Sequence, residues 1–134
     1  MSLGRGTDHP FQFIGNPFID SVTCSFKFIP KSTTITKKPK YQDTVCYGFD
    51  MRLMYKNLLK SKQIDLTVLN LFYHHSLNKQ EVFFDNNFNY HAGNEELKQQ
   101  TILSISPSEI RDSWKSSIYE FKKIRSKYLI YKDF

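Results

Sequence analysis

The sequence predicts a mostly β fold of six or seven antiparallel strands closed by one C-terminal α-helix. Three observations carry that expectation. Apolar and polar residues alternate from Val22 and again from Val45, Asp85-Asn86-Asn87 separates two aromatic runs as a turn would, and Ser106-Pro107-Ser108-Glu109 spells a helix start. The 134 residues suit a single domain over 18–134, and 12 Phe, 8 Tyr and 1 Trp supply a core without metal or disulfide staples. Residues 1–17, with three Gly and two Pro and no periodicity, read as a flexible N-terminal extension.

The first strand is expected over Ile19 to Ile29, because Val22, Cys24, Phe26 and Phe28 alternate with Thr23, Ser25 and Lys27. Pro30 ends it. Lys31 to Gln42, rich in Thr and Lys and holding Pro39, reads as a long exposed loop. A second strand comes next, from Val45, Tyr47, Phe49, Met51, Leu53 and Tyr55 at odd positions; the alternative is an α+β fold with an additional helix around 51–60, since Met51, Met54, Tyr55, Leu58 and Leu59 also fit helical spacing. Ile64 to Tyr73 gives another strand, Val82 to Phe84 and Phe88 to Tyr90 a hairpin, and Thr101 to Ile105 the last strand. In the helix, Ser106 is the N-cap, Pro107 the first helical residue and Glu109 the partner of a capping box. Its apolar stripe runs through Ile110, Trp114, Ile118, Phe121, Ile124 and Tyr128, with Lys122, Lys123, Arg125 and Lys127 at the end the helix dipole favours for cations.

Charge is unevenly placed. The net +6 divides into −1 over residues 1–21, +7 over 22–62, −4 over 63–121 and +4 over the last thirteen, so the basic excess concentrates in the first loop and the second strand. Such a region attracts phosphates or an acidic protein face. Cys24 and Cys46 are too few for a disulfide scaffold and no Asn-x-Ser/Thr sequon occurs, which suggests a reducing, cytoplasmic location. Strand parity places Cys24 among apolar neighbours and Cys46 on the opposite parity to its strand's apolar residues. No apolar run is long enough to span a membrane, and Met1 to Pro10 lacks the apolar core of a secretory signal.

The segment Thr101 to Ile118, with Glu109, Arg111 and Asp112 before Trp114 and Ile118 four residues after it, resembles the last strand and C-terminal helix of pleckstrin homology (PH) domains. The resemblance implies a bent antiparallel sandwich or barrel whose open end is plugged by the helix, with Trp114 packed into the mouth. It also implies a phosphoinositide site built from Lys27, Lys31, Lys37, Lys38, Lys40 and Arg52, around the first loop and second strand. The Arg-x-Arg pair of the tightest binders is missing, since strand two offers Tyr47-Gly48-Phe49 and later the single Arg52. That departure favours weaker contact with anionic membrane lipids, or a protein partner.

The expectation is therefore a non-catalytic docking module for anionic phospholipid headgroups or a protein partner in signalling or trafficking, peripherally attached to membrane and needing no cofactor. The alternative is a single-stranded nucleic-acid-binding β domain, because Tyr47, Tyr55, Phe72 and Tyr73 mix with basic residues and rings of that kind stack bases. His74, His75, Asp85 and His91 form the best candidate for metal or acid–base chemistry, yet adjacent strand residues face opposite ways. No nucleophile motif, phosphate-cradling Gly loop or paired cysteines accompany them.

Overall fold

In the computed structural model, residues 1–76 and 83–132 are described. They form two compact units, Met1–Asp85 and Asn86–Phe134. The architecture is α+β: among the described residues there is one three-stranded antiparallel sheet, with five α-helices. This overturns the expected six- or seven-stranded sandwich plugged by one helix, and the expected hairpin at 82–90 in part lies outside the described residues.

The first unit is organised around its central strand. Strands β1 (Phe13–Asn16), β2 (Phe26–Phe28) and β3 (Cys46–Asp50) lie in the order β1-β3-β2. Phe13 pairs with Asp50, Gly15 and Phe26 both pair with Gly48, and Phe28 pairs with Cys46. Because side chains alternate across a strand, this register puts Ile14, Tyr47 and Phe49 on one face and Phe13, Phe26, Phe28 and Cys46 on the other. Both faces are covered. On the first, Ile14, Tyr47 and Phe49 pack on a core of Ile19, Cys24, Val68 and Phe72, with the Phe72 ring edge-on to Phe49 at 5.8 Å. On the second, Phe13 stands 4.9 Å from Phe26 and 5.5 Å from Phe28, with Tyr41 against the cluster.

Two glycines allow this closeness. A methyl group on Gly48 would overlap the Ile14 carbonyl and lie 2.6 Å from the Gly15 Cα; one on Gly15 would stand 2.6 Å from the Tyr47 carbonyl oxygen and 2.9 Å from the Phe28 ring. The segment 1–17, which the sequence reading sets apart as an extension, supplies β1. Ser2 and Gly15 exchange backbone hydrogen bonds at 2.7 and 3.0 Å, and the Lys31 N–H donates to the Gly6 carbonyl at 2.7 Å.

Each failed strand has a local cause. The Asp20 carboxylate accepts the N–H groups of Val22 and Thr23 at 2.9 and 2.7 Å, turning the chain, so that of the expected 19–29 strand Phe26–Phe28 joins the sheet and Ile19 makes an isolated bridge to Ser76. Asp50 stops β3 in the same way. Its carboxylate accepts the Arg52 N–H at 3.0 Å and caps a 3-10 turn over Met51–Leu53, after which α1 runs Tyr55–Ser61 and ends at Lys62 with φ +49°. The odd-position alternation misleads because β3 is buried on both faces, so even positions such as Cys46 are as enclosed as odd ones. The run 64–73 becomes helix α2 (Thr67–His75), preceded by a turn in which the Asp65 carboxylate accepts the Thr67 N–H at 2.8 Å; Val68 and Phe72, four residues apart, share its buried side.

In the second unit, α3 (Phe88–Ala92) replaces half of the expected hairpin and α4 (Glu96–Ile102) takes the start of the expected 101–105 strand. Helix α5 (Pro107–Arg125) carries the capping box: Ser106 Oγ accepts the Glu109 N–H at 3.3 Å, while Glu109 Oε2 accepts the Ser106 N–H at 3.1 Å. Ile110 is fully buried and Trp114 half-buried, but Ile118, Phe121 and Ile124 are exposed, so the stripe is covered only in its first two turns. With no barrel among the described residues, Trp114 plugs none.

Gly48→Ala is expected to lower stability by about 3 kcal/mol, because the clash is with backbone that cannot rotate away. Ser106→Ala is expected to cost about 1 kcal/mol through the lost cap. Urea denaturation followed by circular dichroism checks both; a neutral Gly48→Ala contradicts the close approach of β1 and β3.

Candidate functional site

The end of β3 positions the chemistry. Where Asp50 caps the 3-10 turn, Arg52 folds back over the same carboxylate: Nε donates to Oδ1 at 2.9 Å and Nη2 to Oδ2 at 2.7 Å, a two-point fork. Nη1 meets Nε2 of His9, 43 residues earlier, at 2.9 Å. A guanidinium has only donors, so Nε2 is the acceptor in this contact. The guanidinium carbon lies 5.2 Å from the Phe13 ring centre, and the His9 ring stands edge-on to the same ring at 5.2 Å. Arg52 is thus restrained by a carboxylate, an imidazole and an aromatic face.

Beside it opens a cleft of about 410 Å³ lined by Phe11, Gln12, Met51, Arg52 and Tyr55. The Met51 N–H donates to the Gln12 carbonyl at 2.8 Å, tying the N-terminal segment to the 3-10 turn. Phe11 is 70% exposed and Tyr55 49%. Phe11 also holds φ +63°, a left-handed conformation that costs a non-glycine residue roughly 1–2 kcal/mol. Its N–H donates to the Leu3 carbonyl at 2.7 Å, which holds that conformation. An exposed ring kept on a strained backbone points to a surface with a task. A second cleft of about 310 Å³, lined by Leu3, Arg5, Phe11, Lys38, Pro39 and Lys40 among others, shares Phe11 as a wall.

The expected lipid-site residues scatter. Arg52 lines the aromatic cleft and Lys38 and Lys40 the basic one. Lys40 Nζ also stands 5.3 Å from the centre of the Tyr41 ring. Lys27, exposed on β2 opposite Tyr47, lines neither cleft; nor do Lys31 and Lys37, both exposed, the latter with its carbonyl taken by Ser32 Oγ at 2.8 Å. The expected base-stacking face is absent too, since Phe72 is fully buried and Tyr47 packs on the core. His74 and His75 end helix α2, His75 meeting Thr23 Oγ1 at 3.2 Å, and no group of three metal-ligating side chains gathers among the described residues. Cys24 and Cys46 lie on opposite faces of the sheet, and burial pushes the Cys46 thiol up to about 11, far from a reactive thiolate.

The sequence reading missed Phe11, Gln12 and His9, which it set aside with the extension, and took Met51 and Tyr55 as strand core. The available signal was Asp50-x-Arg52, oppositely charged residues two apart at a strand end.

The hydrogen bonds from Arg52 hold the Asp50 carboxyl below the ordinary carboxylate range, and those from Ser106 do the same to Glu109. A depressed folded pKa contributes stability that is complete above about pH 4 and lost as pH falls through the depressed value. Thermal unfolding from pH 7 to pH 2.5 is therefore expected to show falling stability below pH 4, with a shallower fall in Asp50→Asn. Identical slopes for the two proteins contradict the fork.

The C-terminal family of exo-β-N-acetylmuramidase NamZ matches residues 1–131. Peptidoglycan β-N-acetylmuramidase NamZ of Bacillus subtilis (strain 168) is 29% identical over 142 residues, which cover 98% of this chain and 34% of that protein. The crystal structure of a DUF1343 family protein from Bacteroides fragilis NCTC 9343 superposes with a TM-score of 0.89 at 32% identity, covering 99% of this chain and 37% of that one. The chain thus spans about a third of the length of these relatives. These findings overturn the PH resemblance. With it go the phosphoinositide and membrane partners, the signalling role, the nucleic-acid alternative and the expectation of a chain unconnected with catalysis. The chain belongs to the family formed by the C-terminal region of exo-β-N-acetylmuramidase NamZ.

Proposed function

We propose that this chain works as part of an exo-acting β-N-acetylmuramidase on peptidoglycan and supplies a wall that holds the terminal sugars. Family membership over nearly the whole chain supports the reaction class. The observation that carries the chain's own part is the open cleft flanked by the Phe11 and Tyr55 rings. Sugar rings present apolar C–H faces between polar edges, and exposed aromatic rings cover such faces while polar groups at the rim take the hydroxyls and amides. Gln12 and Arg52 are among the residues that line it.

Asp50 serves here as a positioning residue. A general acid in glycoside hydrolysis needs a carboxyl whose pKa is raised, whereas Arg52 drives that of Asp50 down. Its task is to fix the guanidinium.

Titrating the chain with soluble peptidoglycan glycan fragments, followed by NMR, is expected to shift the signals of Phe11, Gln12 and Tyr55 saturably. Phe11→Ala with Tyr55→Ala is expected to weaken binding about tenfold or more, the loss of two stacking contacts, with the fold unchanged. Absence of saturable shifts, or binding indifferent to the double substitution, overturns the proposal.

A further inference from the structure

The second cleft, which shares Phe11 with the first, gathers Arg5, Lys38 and Lys40 with no carboxylate among its lining residues. The fold brings these three cations together. Gly6, at φ +85°, lies so close to the loop over 31–40 that a methyl group there would stand 2.5 Å from the Lys31 carbonyl oxygen and 2.8 Å from the Pro39 ring. This approach carries Arg5 up to Lys38 and Lys40, two exposed residues on either side of the buried Pro39. The loop is braced by bonds of its own: the Thr33 N–H donates to the Thr36 carbonyl at 3.0 Å, and across the loop's base the Asp43 N–H donates to the Pro30 carbonyl at 2.8 Å. Little backbone freedom is therefore lost when a ligand arrives. The charged end of Lys40 belongs to the cleft, since the Met1 amine in the same wall is pushed down to about 6, first by burial and then by that ammonium. Asp85 acts on the amine in the opposite sense, without lining the cleft.

We infer that this second cleft is a sugar-phosphate site, in which Arg5, Lys38 and Lys40 take the oxygens of a phosphomonoester while Leu3, Phe11 and Pro39 cover the sugar that carries it. The inference goes beyond the glycan-holding role and stands on a different cleft. A phosphomonoester offers about −1.5 to −2 of charge at neutral pH and three acceptor oxygens, against one charge and two oxygens for a carboxylate, so it is the better match for three cations. The lysine ammonium groups act on it as point charges and the Arg5 guanidinium as a planar fork. Leu3, Pro39 and the exposed Phe11 ring supply the apolar part of the wall, and a ring of that kind suits the C–H face of a sugar.

The test titrates the chain by NMR, at constant ionic strength, with N-acetylglucosamine 6-phosphate, inorganic phosphate, N-acetylglucosamine and acetate. The sugar phosphate is expected to shift the backbone amides of Arg5, Lys38 and Lys40 saturably, and inorganic phosphate to do so about tenfold more weakly. The uncharged sugar and acetate are expected to leave the Lys38 and Lys40 amides where they are. Lys38→Ala with Lys40→Ala is expected to weaken sugar-phosphate binding about tenfold or more, the loss of two charged contacts. The comparison of the four probes on the unaltered chain needs no variant, so it stays decisive if the double substitution disturbs the loop. Inorganic phosphate binding as tightly as the sugar phosphate makes the free anion the ligand and overturns the sugar wall. Absence of saturable shifts with either phosphate, equal shifts with acetate, or an affinity indifferent to the double substitution overturns the site itself. None of these results alters the shifts expected at Gln12 and Tyr55 with glycan fragments, so the glycan-holding role stands or falls separately.

Discussion

The first unit depends on the close approach of β1 and β3 at Gly15 and Gly48, which lets one strand be enclosed from both sides. With β3 central, α2 closes one face through Phe72 and three phenylalanines close the other. A two-sided strand needs a firm stop, and Asp50 provides it by capping the 3-10 turn. The same carboxylate then holds Arg52. One residue therefore ends the sheet and orients the cation beside the cleft.

That coupling explains why the cleft is built from distant parts of the chain. Phe11 and Gln12 reach it from the segment before β1, Met51 and Arg52 from the turn after β3, and Tyr55 from the start of α1. The register Phe13 to Asp50 brings these parts together. The strain at Phe11 is local, of order 1–2 kcal/mol, and is offset by neighbouring backbone hydrogen bonds rather than by burial of the ring. A ring that contributes nothing to the core yet occupies a strained position suits recognition better than stability.

Legibility of the fold in the sequence tracks the range of the interactions concerned. Helix α5 is readable from Ser106, Pro107 and Glu109 because all the bonds of a capping box lie within four residues. The sheet is not, because alternation assumes one dry face and one wet face, and β3 has two dry ones. Residues 64–73 fit either period, and the packing of Val68 and Phe72 into the core with Ile19 and Cys24 is a tertiary contact that the local pattern does not show. At the site, charge alone marks out Arg52, Lys38 and Lys40, but not their division between two clefts. The partner His9 lies 43 residues away and Phe11 owes its role to its φ, and neither separation nor backbone angle shows as a pattern in a single chain.

The central claim is that sugar rings lie against Phe11 and Tyr55. Intermolecular nuclear Overhauser effects between the chain and a bound peptidoglycan disaccharide measure this directly. Cross-peaks from pyranose ring protons to the aromatic protons of both residues are the predicted result. Cross-peaks confined to another surface, or to neither ring, would contradict it.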